Sequence, residues 1–177
     1  TKYGNGSLSD TNLDYLENYL AINSEWNNWA LSSEFAYTSP PEYGFNLQGI
    51  RTLNLQFTGE KTTIELGHFN AVFGSGISMN LFEDKTIDFD NRPFGIKLQF
   101  DINDSWQFES LLGVKSNYHF YSPVSKPRTP DGKSSYNMGG ANINYSPESG
   151  TWGISSYVTV SRFESDNFDP PCGINQF

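Results

Sequence analysis

The chain has 177 residues, of which 36% are hydrophobic and 16% aromatic, and its formal net charge is -9. That length fits one domain or part of one; the mean hydropathy of -0.53 and the lack of any run of about eighteen apolar residues exclude a membrane-spanning helix. The acid excess, without a cluster of Lys and Arg, excludes a nucleic-acid partner, and a lone cysteine, Cys172, excludes an intrachain disulfide and a multi-cysteine metal site.

Residues 1–12 read as an N-terminal extension, because "TKYGNGSLSD" does not alternate. No basic, apolar leader follows Thr1, so this end does not reveal localisation. The stretch "LDYLENYLAI" at 13–22 sets Leu13, Leu16 and Leu20 on one helical face but reads equally well by twos, and the strands that follow favour strand. Residues 29–37 put Trp29, Leu31, Phe35 and Tyr37 opposite Ser32 and Glu34; residues 45–58 put Phe45, Leu47, Leu53, Leu55 and Phe57 opposite Asn46, Gln48, Thr52, Asn54 and Gln56. The pattern continues with Ile64 and Leu66, then with Phe94, Ile96, Leu98 and Phe100, then with Trp106, Phe108, Leu112, Val114 and Tyr118. Weaker strands follow near 136–145 and 151–163. About eight strands of this length suit a tilted crossing of a bilayer.

Connections alternate between short and long: "NSEWNN", "TSPPEYG", "GEK", the loop 70–93, "NDS", "YSPVSKPRTPDGKSS", "SPESG". Greek-key sandwiches have no reason for such regularity, whereas an up-and-down meander with its two rims in different compartments does. The fold class expected is all-β, an antiparallel up-and-down meander forming a transmembrane β-barrel or a fragment of a larger one. Rings near strand ends (Trp29, Tyr37, Phe45, Phe57, Phe69, Phe94, Trp106, Tyr118 and Phe120) fit an interfacial girdle, or alternatively the core of a sandwich. The fragment is favoured, since the strand at 13–22 needs an ascending strand before it and 165–177 is irregular, its "DPP" opposing a closing strand. The barrel strands therefore occupy 13–164.

The stretches "ENYLAINSEW", "NWALSSEFAYTSPPEYG" and "LGHFNAVFGSGISMNLFEDKTIDFDNRPFGIKL" resemble an uncharacterised family of bacterial outer-membrane β-barrel proteins. Its pattern is an Asn-Tyr strand, a Gly-aromatic-aromatic Phe-Gly-Ser-Gly loop, an acidic stretch and Asp-Asn before the next strand. The matching positions are Asn18, Tyr19, Gly67, Phe69, Phe73, Gly74, Ser75, Gly76, Glu83, Asp84, Asp90, Asn91 and Gly95, within residues 13–101. The family tends to carry an Arg and a Tyr where this chain has Met79, Asn80, Leu81 and Phe82, a departure at the place of a loop salt bridge. The resemblance implies fold and location, the bacterial outer membrane, and no reaction.

Loop 70–93 is expected to fold back over or into the barrel mouth as a structural constriction built on Phe73, Gly74, Gly76, Asp84, Asp88, Asp90, Asn91 and Arg92. Gly74 and Gly76 permit positive φ; Phe69, Phe73, Ile77, Leu81, Phe82, Ile87 and Phe89 supply apolar anchors; Asp88, Asp90 and Asn91 serve backbone amides or Arg92. Glu83, Asp84, Asp88 and Asp90 lack the ligand order of a calcium-binding loop, so turn hydrogen bonds are the expected role. His68 and His119 stand without a metal motif and are expected to fill the lumen or rim; Cys172 has no paired His to activate it. No catalytic residue, metal or cofactor is expected, and no carboxylate pair stands out for glycoside hydrolysis.

The functional expectation is a passive outer-membrane pore or structural scaffold of unknown solute, in contact with outer-membrane lipid and open to other envelope proteins. Its acid excess suggests weak cation preference. The alternative is a soluble secreted β-sandwich that binds glycans through Trp26, Trp29, Trp106 or Trp152, and a hydrolase comes third.

Overall fold

Alternating residues become one continuous sheet. In the computed structural model, which describes residues 2–8, 11–39, 47–86, 89–119 and 132–165, nine strands pair in chain order, each antiparallel to the last. They are β1 (Lys2–Leu8), β2 (Thr11–Trp26), β3 (Trp29–Thr38), β4 (Gln48–Thr58) and β5 (Thr62–His68), then β10 (Phe94–Asn103), β11 (Trp106–His119), β12 (Gly132–Tyr145) and β13 (Trp152–Ser165). Between β5 and β10 the chain makes four short strands, β6 (Ala71–Phe73), β7 (Met79–Leu81), β8 (Glu83–Asp84) and β9 (Phe89–Asp90). The all-β antiparallel meander is thus the architecture. Among the described residues no strand joins β1 to β13, which are the two edges of the sheet.

Register sorts the side chains into two unlike faces. One carries Leu20, Ile22 and Trp26 opposite Phe35, Ser33 and Trp29. It continues through Leu55 and Phe57 opposite Leu66 and Ile64, Phe94 and Ile96 opposite Val114 and Leu112, and Ile143 opposite Ile154. These side chains are largely open: Leu20 is 61% exposed, Leu112 65%, Ile154 77% and Val158 64%. The other face carries Glu34, Asn54, Glu65, Lys97, Glu109, Asn142 and Ser155, whose neighbours in register are likewise mostly polar.

A bulge breaks the alternation once in a useful way. Glu34 pairs with Thr52 but Phe35 pairs with Ile50, so β4 carries Arg51 as an extra residue. An extra residue in one strand keeps two successive side chains off strict alternation. Ile50 therefore joins the apolar face with Phe35, while Arg51 reaches Glu34 on the polar face.

Three expectations are corrected here. Residues 1–12 are not a plain extension: Lys2–Leu8 forms a strand antiparallel to Thr11–Glu17. Gly4, Asn5 and Gly6 hide it from a periodicity reading, because the strand is held by ladder hydrogen bonds to β2. The strand expected at 13–22 also runs on to Trp26 and turns through Asn27 (φ 50) and Asn28 alone, a left-handed position that Asn tolerates. Phe69, expected both in a girdle and as an anchor of the loop, is only the latter: it is 1% exposed and packs in the loop's apolar cluster, since β5 ends at His68 and the chain turns inward there. Of the other girdle positions, Trp29, Tyr37, Phe94 and Trp106 are 38%, 48%, 54% and 39% exposed. Phe45, Phe120, Asp88 and Cys172, with the segment 166–177, lie outside the described residues.

Candidate functional site: a loop seated on the polar face

The described residues of the segment 69–93 lie against the polar face and are held there in two different ways. The first is apolar. Phe69, Ala71, Phe73, Met79 and Leu81 cluster with Leu111 of β11, and Met138 of β12 packs against them. Strands β6 and β7 form a hairpin that pairs Ala71 with Leu81 and Phe73 with Met79, so the alternate residues of both point the same way. Phe73 is fully buried, and burial of a Phe side chain is worth about 1.5–3 kcal/mol.

Gly140 makes room for that ring, because a Cβ there would stand 3.0 Å from Phe73 Cε2. Gly113 does the same for the buried Pro93, whose Cβ would lie 2.7 Å from an added methyl. At the hairpin tip, Gly74 (φ 59), Ser75 (φ 55) and Gly76 (φ 85) make a tight turn through the left-handed region. A Cβ on Gly74 would meet Ser78 Oγ at 2.6 Å, and that hydroxyl accepts a hydrogen bond from Ser155 Oγ of β13 at 2.7 Å. The tip is thereby tied to the wall.

The second half is ionic. Arg51 Nη1 reaches Glu34 Oε1 at 2.6 Å and Glu83 Oε1 at 2.5 Å, joining two neighbouring wall strands to β8. Lys85 of the loop also pairs with Glu34. Arg92 Nη2 meets Glu83 Oε2 at 2.9 Å, Arg92 Nε meets Asp90 Oδ1 at 3.0 Å, and Lys115 of β11 stands 3.7 Å from Asp90 Oδ1. Four of the chain's eleven Lys and Arg side chains thus converge on three carboxylates. The Arg51 guanidinium also lies 5.7 Å from the Tyr19 ring centroid, a cation–π contact. At the start of the loop, Lys97 Nζ bridges Glu65 Oε1 at 2.8 Å and the Asn70 carbonyl at 2.9 Å.

The expected loop residues fall into these two halves. Phe73, Gly74 and Gly76 build the apolar hairpin. Asn91 clamps the shoulder: its Oδ1 accepts the Phe82 N–H at 2.7 Å and its Nδ2 donates to the Asn80 carbonyl at 2.8 Å. Asp90 accepts from the Arg92 N–H at 2.9 Å as well as from its guanidinium. Burial pushes the Asp90 carboxyl up, but the hydrogen bond from the Arg92 side chain, the Lys115 charge and the Arg92 amide outweigh it and hold the carboxyl below the usual range. Asp84 stands apart, accepting from Thr86 Oγ1 at 2.6 Å and the Thr86 N–H at 2.9 Å, which lower its carboxyl.

Of the acidic group, Glu83 and Asp90 are taken by Arg and Lys and Asp84 by a turn. His68 sits at the end of β5, where Nδ1 accepts the Leu53 N–H at 3.2 Å and the ring meets Phe94 edge-on at 5.2 Å. Sequence reading missed the wall partners Glu34, Arg51 and Lys115. Its available signal was the slip in phase between Ile50 and Leu53, which marks the bulge.

The Trp residues occupy one rim. Trp26 pairs with Trp29 at the β2–β3 turn, and the Trp29 ring is 5.0 Å from Phe57. At the β10–β11 turn, Trp106 stacks on Tyr145 at 4.6 Å, and Tyr145 pairs with Trp152. All four are exposed on the apolar face at the short-turn end.

Residues 8–126 match a family of unknown function, DUF6029, and the chain belongs to that family. No curated protein and no solved structure matches the chain.

Proposed function

We propose that this DUF6029 member is part of an outer-membrane β-barrel whose lumen is occupied by residues 69–93, so that it serves as a scaffold or a restricted pore. The observation that carries this reading is the inversion of the two faces. The loop packs its only described apolar cluster against the face rich in amides and charges, while the aliphatic and aromatic face has no second sheet over it among the described residues. In a sandwich the apolar faces meet; in an outer-membrane barrel they contact hydrocarbon and the polar face lines the interior.

Ring placement supports the same reading. From Trp29 to Tyr37 along β3 the rise is about 26 Å at about 3.3 Å per residue. With the usual tilt this becomes about 20 Å across the bilayer, close to the roughly 25 Å apolar band that aromatic girdles flank. The Trp residues, an alternative glycan platform, follow a rim spread over several strands and stay on the apolar face.

Glu34, Glu83 and Asp90 beside the loop are matched by Arg and Lys, so any solute path here is governed by the seated loop. Detergent dependence tests the proposal. The full chain is expected to require detergent or lipid to stay monodisperse and to resist SDS as a heat-modifiable β species. A monodisperse, β-folded chain in plain buffer would replace the barrel by the glycan-binding sandwich.

A further inference from the structure

The wall is interrupted at its long-loop end. Strand β4 pairs with β5 only between Thr58 and Asn54, so residues 48–53 meet β3 on one side and no strand on the other among the described residues. Strand β11 likewise loses β10 after Val114, and residues 115–119 meet β12 alone. Gly67 (φ 105) sets the limit on β5: a Cβ there would stand 2.2 Å from the Leu53 carbonyl oxygen, and the Leu53 N–H leaves the ladder for His68 Nδ1. Above that level β5 and β10 no longer stand between β4 and β11, which leaves a gap of three strand spacings, roughly 14 Å. Its floor runs from Leu53, four residues beyond Phe57 on β4, to Val114, eight beyond Trp106 on β11. Between rims marked by Trp29 and Tyr37, the gap therefore opens from the middle of the apolar band to its upper edge. Across it runs a chain of charges. Arg51 of β4 pairs with Glu83, Glu83 with Arg92, Arg92 with Asp90, and Asp90 with Lys115 of β11, at 2.5, 2.9, 3.0 and 3.7 Å. Side chains thus close what a backbone ladder closes elsewhere, and ion pairs, unlike a ladder, can be exchanged for an arriving charge.

We infer that this gap is a lateral portal by which a single-chain amphiphile, an anionic head on an alkyl tail, passes between lumen and bilayer, with the shoulder at 83–92 as its bar. The inference rests on the lumen reading above and names the solute class for it. A wholly polar solute gains nothing from an exit into hydrocarbon, and an alkane gains nothing from the charged side; an amphiphile has one part for each. Ile50 and Phe94, 56% and 54% exposed, border the gap on the apolar face and offer the tail its contacts. The sign of the head follows from which charges are fixed. Glu83 and Asp90 belong to the shoulder and leave when it moves, whereas the wall keeps Arg51 and Lys115 against Glu34 alone among the residues of this network. A carboxylate or phosphate head can then take the places that Glu83 and Asp90 give up.

The test is photolabelling of the full chain in lipid vesicles with diazirine-bearing palmitate, hexadecylamine and hexadecane, the labelled residues being mapped by mass spectrometry. All three are expected on Leu112 of the apolar face. Palmitate alone is expected on the inward residues Glu34 and Lys115 beside the gap, with Gln107, behind fully paired wall, left clean. Glu83→Gln frees the bar and keeps the wall cations, so it should raise the inward palmitate label about tenfold, the size of one lost charge-assisted bond. Asp90→Asn should raise it severalfold and keeps the test sound if Glu83→Gln fails to fold. Adding Lys115→Gln to either variant should lower the palmitate label again. No inward label in either variant, equal label on Gln107 and Lys115, or equal inward label from hexadecylamine would overturn the portal, while label on Leu112 keeps the barrel. Absence of label on Leu112 from every probe would instead remove the barrel, and the portal with it.

Discussion

The two halves of the loop are seated on the same face by opposite physics. The hairpin at 71–81 is held by ring burial against Leu111 and a glycine recess, which depends on shape and barely on salt or pH. The shoulder at 83–92 is held by Arg51, Lys115, Arg92 and Lys85 against Glu34, Glu83 and Asp90, which depends on both. A polar wall can seat a loop only where it offers either a patch without polar groups or a set of matched charges. Here it offers one of each, so the halves should loosen separately.

Phe73→Ala removes the largest buried ring of the hairpin and should have the greatest effect, about 3–5 kcal/mol of local attachment. Amide exchange at 71–81 is expected to accelerate to match, with 89–92 changing far less; equal loss in both halves would show them to be one unit. Arg51→Met comes next. It leaves Glu34 and Glu83, whose side chains are 8% and 13% exposed, short of a partner. A fully buried pair would lose more, and with the Arg51 side chain 22% exposed about 2 kcal/mol is expected, read as faster exchange at 83–92.

Acid should separate the halves without mutation. The Asp90 carboxyl is depressed in the folded chain, so its contribution is present above the ordinary aspartate value of about 3.9 and is lost as pH falls through the lower folded value. Opening of the shoulder below about pH 4 is expected, and Asp90→Asn should remove that part of the pH dependence. Proteolysis across 83–92 as a function of pH measures it, and an acid response confined to 71–81 would reverse the assignment. Lys85→Ala should do least, about 0–1 kcal/mol, because its side chain is 60% exposed and its pairing is screened by salt.

Much of the wall was legible in the sequence because alternation is local. The runs from Trp29, Leu53, Phe94 and Trp106 all became strands of one meander, and from β2 onward the short-long rhythm of connections follows its two rims, whereas β1 meets β2 across two residues at the long-loop end. Strand β1 was not legible, since Gly4 and Gly6 give no pattern and its existence depends on a partner strand. In the loop, Phe73, Gly74, Gly76, Asn91 and Arg92 could be read from chemistry within a few residues of one another. Glu34, Arg51 and Lys115 could not, because Arg51 and Lys115 reach Glu83 and Asp90, and Glu34 reaches Lys85, only through register fixed over several strands and through one bulge. Phe69 shows the converse limit: a ring at a strand end looks alike to a periodicity reading whether it turns toward lipid or toward the loop.

Spin-label accessibility in lipid vesicles reads the two faces directly. On a Cys172→Ser background, single labels at Leu112 on the apolar face and Gln107 on the polar face should behave oppositely: Leu112 relaxed by oxygen dissolved in the bilayer, Gln107 by a water-soluble nickel complex. Nickel access at both positions, or oxygen access at Gln107 in place of Leu112, would contradict a wall with hydrocarbon on one side and an aqueous, loop-filled interior on the other.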